Sequence, residues 1–144
     1  MVSVAAKAET ERGAVATSRV TLNAAAFAAV RDNAGPKGDA LQTARIAAMS
    51  AVKRTADLIP LCHPLRLTAI DVDAELLADQ SAIVFTVRVQ AVDRTGVEME
   101  AMTGASVAAL VLYDMIKAVD CTAEIGAIRL LEKWGGKSGH FKRQ

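Results

Sequence analysis

The segment Glu98–Val119, EMEAMTGASVAALVLYDMIKAV, is apolar or small almost all the way round when wound as a helix. One buried stripe does not satisfy such a helix; it belongs in an interior or at a helix-packed interface. Its few charges therefore need a reason: Glu98 and Glu100 in the first turn, Asp114 and Lys117 near the end. The chain around it has 144 residues, which fits a single domain spanning 1–144. Hydrophobic residues make up 52% of it but aromatics only 3%, so the core is built from Ala, Val, Leu and Ile. More apolar surface is on offer than one small domain hides, and some of it is expected in contacts between copies.

The other elements follow from shorter patterns. Residues 1–13 are small and charged without a period and read as a flexible arm. Ala14–Leu22 reads as a strand, and Asn23 caps a short helix over Ala24–Arg31. Asp32–Gly38, DNAGPKG, is a loop that delivers Lys37 to the start of a long helix capped by Asp39 and ending before Pro60. Leu65, Leu67 and Ala69 alternate with polar residues, then the phase flips to Ile70, Val72, Ala74 and Leu76, which predicts a β-bulge. After a turn at Asp79-Gln80, Ile83, Phe85, Val87, Val89 and Ala91 alternate cleanly, giving an antiparallel hairpin. Ala123–Lys133 supplies a last strand of ambiguous period before the loop Gly135–Gly139. The order β-α-α-β-β-α-β is an α+β fold: a ferredoxin-like antiparallel sheet with helices packed on one face and one added helix.

Several function classes are excluded by composition. Lys and Arg total 17 against 16 Asp and Glu, so no bulk field attracts nucleic acid or an anionic membrane. Cys62 and Cys121 lie far apart without a C-x-x-C, which argues against a zinc site or disulfide framework and suits a reducing compartment. Lys7, Glu9, Glu11 and Arg12 stand where a signal peptide needs an apolar run, and no stretch is expected to reach transmembrane length. A cytoplasmic protein is expected.

Each candidate site residue has a plain reading beside a functional one. Asp114 and Lys117, spaced i,i+3 on an apolar helix, are either a buried structural pair or a carboxylate and an amine that exchange protons with substrate. Lys37, before Gly38 and Asp39 at a helix N-terminus, is either a solvated lysine or a phosphate anchor. In Leu61-Cys62-His63-Pro64 the proline holds His63 extended, towards a cleft or merely a hydrogen bond; adjacent Cys and His side chains diverge, so a thiolate–imidazole dyad is not expected. Glu98 and Glu100, flanking Met99, suit the positive end of the helix. Lys133, Lys137 and Lys142 crowd a Gly-rich tail that is either a phosphate cradle or a solvated terminus. Amines, carboxylates and one imidazole, with no metal or flavin motif, suit acid–base chemistry on a phosphorylated substrate.

The runs Lys37-Gly38-Asp39, Ala44-Arg45-Ile46-Ala47, Asp57-Leu58-Ile59-Pro60-Leu61-Cys62-His63-Pro64 and Thr95-Gly96-Val97-Glu98-Met99-Glu100-Ala101, with Tyr113-Asp114-Met115 and Gly135-Gly136-Lys137-Ser138-Gly139, strongly resemble the MoaC family of cyclic pyranopterin monophosphate synthases. The resemblance implies a nucleotide-derived substrate, 3′,8-cyclo-7,8-dihydroguanosine 5′-triphosphate, converted to cyclic pyranopterin monophosphate with release of pyrophosphate in molybdenum cofactor biosynthesis. It implies a lyase, a homohexamer built as a trimer of dimers, and active sites at subunit interfaces. Asp114, Lys117 and Lys37 match the family's catalytic positions. Leu61, Cys62, His63, Met99 and Glu100 match its substrate-binding segments, with Glu98 and Lys133 beside them. No metal ligands and no resident cofactor are implied, and whether Mg²⁺ accompanies the triphosphate is left open. The family pattern has Asp at Ser3, a further segment upstream and commonly Ala at Gly104, so an altered arm and a looser helix are expected. Lys7 and Arg12 are not counted among the site residues.

Two rival classes are testable. An RNA-binding module of similar topology needs strand aromatics on a basic sheet, whereas the central strand offers only the inward-type Phe85. A non-catalytic oligomeric small-molecule sensor would keep its function after Asp114→Asn.

Overall fold

The computed structural model describes residues 1–137 and 139–144; Ser138, in the Gly-rich loop, lies outside the described residues. Its elements in chain order are β1 (Thr10–Thr21), α1 (Ala24–Arg31), α2 (Ala40–Val52), α3 (Thr55–Leu58), β2 (Leu67–Leu77), β3 (Ala82–Asp93), α4 (Glu98–Ile116), β4 (Glu124–Trp134) and β5 (Phe141–Lys142). The strands form one sheet in the order β2-β3-β1-β4-β5, antiparallel at every pairing. The first four strands follow the ferredoxin-like plan, with β3 inserted between β1 and β2.

Helix starts are set by side chains. The Asn23 Oδ1 accepts the Ala26 N–H at 2.8 Å, and the Asp39 Oδ1 accepts that of Gln42 at 2.9 Å. The bulge is where the phase flip puts it: Leu67 pairs with Ala91 and Ala69 with Gln90, leaving Thr68 as the extra residue. Ile83, Phe85, Val87, Val89 and Ala91 of β3 are all fully buried under the helices.

Three boundaries differ from expectation. Thr10–Gly13 belong to β1 and pair with Asp93–Gln90, so the arm is shorter than residues 1–13. No alternation marks this stretch because its polar Arg12 is buried and Gly13 has no side chain. The Trp134 indole fills the space that a Cβ at Gly13 would need. The long helix expected before Pro60 ends at Val52 and resumes only as the single turn α3. Here the buried Thr55 hydroxyl donates to the Val52 carbonyl at 3.0 Å, competing with the helical ladder. α4 stops at Ile116 rather than Val119 because the Ile116 carbonyl takes the N–H groups of both Val119 and Asp120, at 2.8 and 3.0 Å. The ambiguous period of β4 reflects two register shifts against β1, and β5 is too short to leave a pattern.

α2 and α4 lie side by side on the sheet, joined by alanines: Ala44, Ala48 and Ala51 on one, Ala101, Ala105 and Ala108 on the other. Gly104 is buried rather than exposed. A Cβ there would stand 2.6 Å from the Val52 Cγ2 and 3.0 Å from the Val87 Cγ1. The glycine therefore marks a close approach and is not merely a loosened turn. Against the expectation for this chain, α4 is by length and composition able to cross a membrane. Instead its Ala101, Ala105, Ala108 and Leu112 are buried in the core that the sheet and α2 complete.

Gly104→Ala is expected to lower stability by about 1–2 kcal/mol, overpacking outweighing the gain in helix propensity. Adding Val52→Ala should recover part of that loss. Denaturation midpoints of the two single variants and the double variant give the coupling.

Candidate functional site

The residues singled out by the sequence fall into two groups, one at each end of α4. At its C-terminal end, the loop before α2 turns through Gly38 at φ +90°, a conformation that suits glycine, and directs Lys37 at Asp114. The Lys37 Nζ donates to the Asp114 Oδ2 at 2.6 Å, and the Lys117 Nζ lies 2.8 Å from Oδ1. Each carboxylate oxygen thus has its own ammonium group. The three side chains are about half exposed, at 43% for Lys37 and 52% for both Asp114 and Lys117. The expectation of a buried pair is corrected: in the single chain α4 turns these charges outward, and the Asp39 carboxylate caps α2.

Chemically, the cluster is an ionised carboxylate shared by two lysines. The hydrogen bonds from Lys117 and then Lys37 hold the Asp114 carboxyl down at about 2, and Asp114 in turn raises Lys117. If each lysine gives one ammonium hydrogen to Asp114, four of the six remain, so oxygen atoms of a ligand have donors waiting.

At the other end, a cleft of about 250 Å³ is lined by Leu61, Cys62, His63, Glu98, Met99 and Glu100 among others. All of the expected substrate-binding residues except Lys133 meet there. Lys133 completes the wall from β4 by pairing with Glu98, Nζ to Oε1 at 2.8 Å. Glu100 is only 4% exposed, and burial pushes its carboxyl up to about 7. The Cys62 thiol is also raised, by burial and then by the nearby Glu100. This end therefore offers hydrogen-bonding groups with little charge, suited to the edge of a heterocycle.

A second cleft of about 230 Å³ shares Thr95, Gly96 and Glu98 with the first and adds the cations Lys7, Arg12, Arg94 and Lys133. Sequence reasoning considered Lys7 and Arg12 but left them out of the site because of the altered arm, and it passed over Arg94 and Trp134. Arg12 is 9% exposed, and its guanidinium lies against Gly136, at φ +72°, where a Cβ would collide with it. Of the tail lysines, Lys137 borders a wider opening of this cationic region beside Lys7 and Arg12, whereas Lys142 lies on the exposed β5. The signal that could have found these residues was the cationic spacing of the arm and the paired glycines of the tail. Among the described residues, no group of three or more His, Cys, Asp and Glu is disposed to hold a metal ion.

The pattern of charge and cleft coincides with similarity along the chain. A sequence model of the MoaC family matches residues 1–136. The chain belongs to the MoaC family. Among MoaC relatives, proteins named cyclic pyranopterin monophosphate synthase from Thermomicrobium roseum and Heliobacterium modesticaldum are each 51% identical over all 144 residues, covering 87% and 91% of their lengths. A Mycobacterium bovis protein named cyclic pyranopterin monophosphate synthase 2 is 53% identical over the same residues and covered to 85%.

The raised Glu100 carboxyl makes a pH prediction. An unfolded glutamate ionises near 4.5, while the folded chain keeps the proton up to about 7. Stability should therefore fall as pH rises between those values, by about 2–3 kcal/mol, and level off above. Denaturant titrations from pH 4.5 to 8 should show this slope in the wild type and its disappearance in Glu100→Gln.

Proposed function

We propose that this MoaC chain is a cyclic pyranopterin monophosphate synthase of molybdenum cofactor biosynthesis. It takes 3′,8-cyclo-7,8-dihydroguanosine 5′-triphosphate to cyclic pyranopterin monophosphate and pyrophosphate, as a phosphorus–oxygen lyase. The observation that carries the reading is Asp114 with one lysine on each oxygen, in a chain matched throughout its length by relatives of that name.

Forming a cyclic monophosphate from a triphosphate requires a substrate hydroxyl to attack the α-phosphorus. One O–P bond forms, the bond to the β-phosphate oxygen breaks, the hydroxyl proton goes to a base, and pyrophosphate leaves. The cations Lys7, Arg12, Arg94 and Lys133 suit the triphosphate, whose charge they offset. Leu61, Cys62, His63, Met99 and the proton-bearing Glu100 hold the heterocycle. Lys37, Asp114 and Lys117 relay protons during ring opening and reclosure, and charged Lys117 is the group suited to give one.

The two groups cannot meet within one chain. Glu98 and Asp114 stand 16 residues apart on α4, about 24 Å at 1.5 Å per residue. The reading thus includes an active site shared between copies in a cytoplasmic homohexamer, a trimer of dimers. No resident cofactor is required, and any Mg²⁺ arrives with the triphosphate.

Anaerobic turnover, followed by pyrophosphate release and by the fluorescence of the oxidised pterin, tests the assignment. The wild type should give both products, and Asp114→Asn and Lys37→Ala should each lose about 10²–10⁴-fold in kcat. Substrate binding by Asp114→Asn should change little. An assembled wild type that yields neither product would overturn the reading.

A further inference from the structure

β1 begins at Thr10, so residues 1–9 leave the sheet without strand pairing to place them. Two arginines at the open end of the β2–β3 hairpin place them instead. Arg66 stands just before β2 and Arg94 just after β3. The Asp93 carboxylate fixes both backbones: its Oδ2 accepts the Arg66 N–H at 3.0 Å and its Oδ1 the Arg94 N–H at 2.8 Å. The guanidinium groups then close on the Glu9 carboxylate, Arg66 donating to Oε2 and Arg94 lying 3.7 Å from Oε1. Arg94 reaches further and donates to the Ala5 carbonyl at 3.2 Å. A turn closed by the Lys7 N–H on the Val4 carbonyl at 3.0 Å shapes the stretch so held. Arg94 therefore grips the arm on both sides of Lys7, at Ala5 and at Glu9. Lys7 in turn lines the cleft that carries Arg12, Arg94 and Lys133, whereas Glu9 and Arg66 stand outside that lining.

We infer that Glu9, clasped by Arg66 and Arg94, is a positioning residue that sets Lys7 at the cationic cleft for the substrate's triphosphate. It rests on the reading that this cleft takes the phosphates. Exposed ion pairs add little to stability, and the Arg66 and Glu9 side chains are 66% and 43% exposed. What such a pair can do is select one conformation of a short arm that lies outside the sheet. Charge alone argues against a plainer role in binding. Glu9 shares Arg94 with the cleft, so its carboxylate offsets part of the positive charge that a phosphate meets there. Preorganisation turns the balance, because a lysine already held in place loses less freedom when the anion binds. The two effects have opposite signs: by charge Glu9 weakens anion binding, and by placing Lys7 it strengthens it.

Binding of inorganic tripolyphosphate to the assembled protein, measured by calorimetry, reads the sign. Glu9→Gln should bind about tenfold more weakly than the wild type, although it removes a negative charge. Lys7→Ala should cost about as much in the wild type and almost nothing further in Glu9→Gln, where the lysine is already released. Arg66→Gln, which leaves every cleft residue in place, should behave as Glu9→Gln does. In turnover, Glu9→Gln should raise KM about tenfold and keep kcat near the wild-type value. Trypsin should cut after Lys7 faster in Glu9→Gln than in the wild type, and tripolyphosphate should slow the wild-type cut. Tripolyphosphate bound by Glu9→Gln as tightly as by the wild type, or more tightly, overturns the inference, as does an unchanged rate of cutting at Lys7. The readings fail separately. A wild type that turns over and binds tripolyphosphate while Glu9→Gln matches it loses only the clasp; a wild type that does neither loses the triphosphate reading, and the clasp's purpose with it.

Discussion

The register of α2 on α4 is the constraint from which the site follows. At Gly104 the Val52 methyl comes to 2.6 Å of where a Cβ would stand, so the two helices meet almost backbone to side chain. Val52 ends α2, and Lys37 precedes its start; with Val52 held at Gly104 near the beginning of α4, the opposite end of α2 falls beside Asp114. A slip by one turn would move Lys37 by about 5.4 Å and break a 2.6 Å contact. Small side chains make this register possible, because ridges of alanine let the axes approach closely enough for a unique fit. The low aromatic content is thus not a weakness of the core. It is the condition for helices that position charges on their outer ends.

Two carboxyl groups on one helix are driven apart by their surroundings. Glu100 is buried beside the thiol of Cys62, and burial raises its carboxyl to about 7, whereas Asp114, exposed and held by two ammonium groups, is ionised throughout the physiological range. Environments that separate like groups in this way define a donor and an acceptor without changing residue type. Glu100 can donate a hydrogen bond to a heterocycle acceptor. Asp114 can only accept, and in the proposed reading it holds the two lysines in place for the proton relay. The raised Lys117 makes that ammonium a proton source only for a substrate group that becomes strongly basic, as a developing alkoxide or carbanion does.

Much of the fold was legible because it rests on period and caps. The flip at Ala69-Ile70 locates the bulge at Thr68 since a pleated strand exposes alternate residues and one extra residue must reverse the faces. Asn23 and Asp39 announce helix starts because their oxygens take N–H groups that have no other partner. What was not legible is tertiary. Arg12 and Gly13 carry no strand pattern, since their strand is explained only by Trp134 and the tail folding over them. The break after Val52 depends on one hydroxyl turning inward at Thr55. The pair at Asp114 and Lys117 was misjudged as buried because an all-apolar sequence does not say which side of the helix its own chain will cover. For the candidate site, the fold gathers the motif residues into two groups at the ends of α4, and Arg94 and Lys7 join the lining of one of them through folding alone.

That last ambiguity has a physical resolution in the chain's economy of surface. A helix with apolar residues on every side, in a domain with only one sheet face to cover it, leaves a stripe whose exposure opposes solubility of the single chain. The same helix separates the clefts at its first turn from an ammonium-rich end by about 24 Å, farther than any side chain spans. Both facts are consequences of placing the functional groups at the ends of one long helix. In the proposed reading, a site shared between copies of the chain answers both together, covering the stripe and closing the gap with no additional element. In that reading, stability of the assembly and completeness of the site are one equilibrium, and a substrate that bridges the two ends favours the assembled form by mass action.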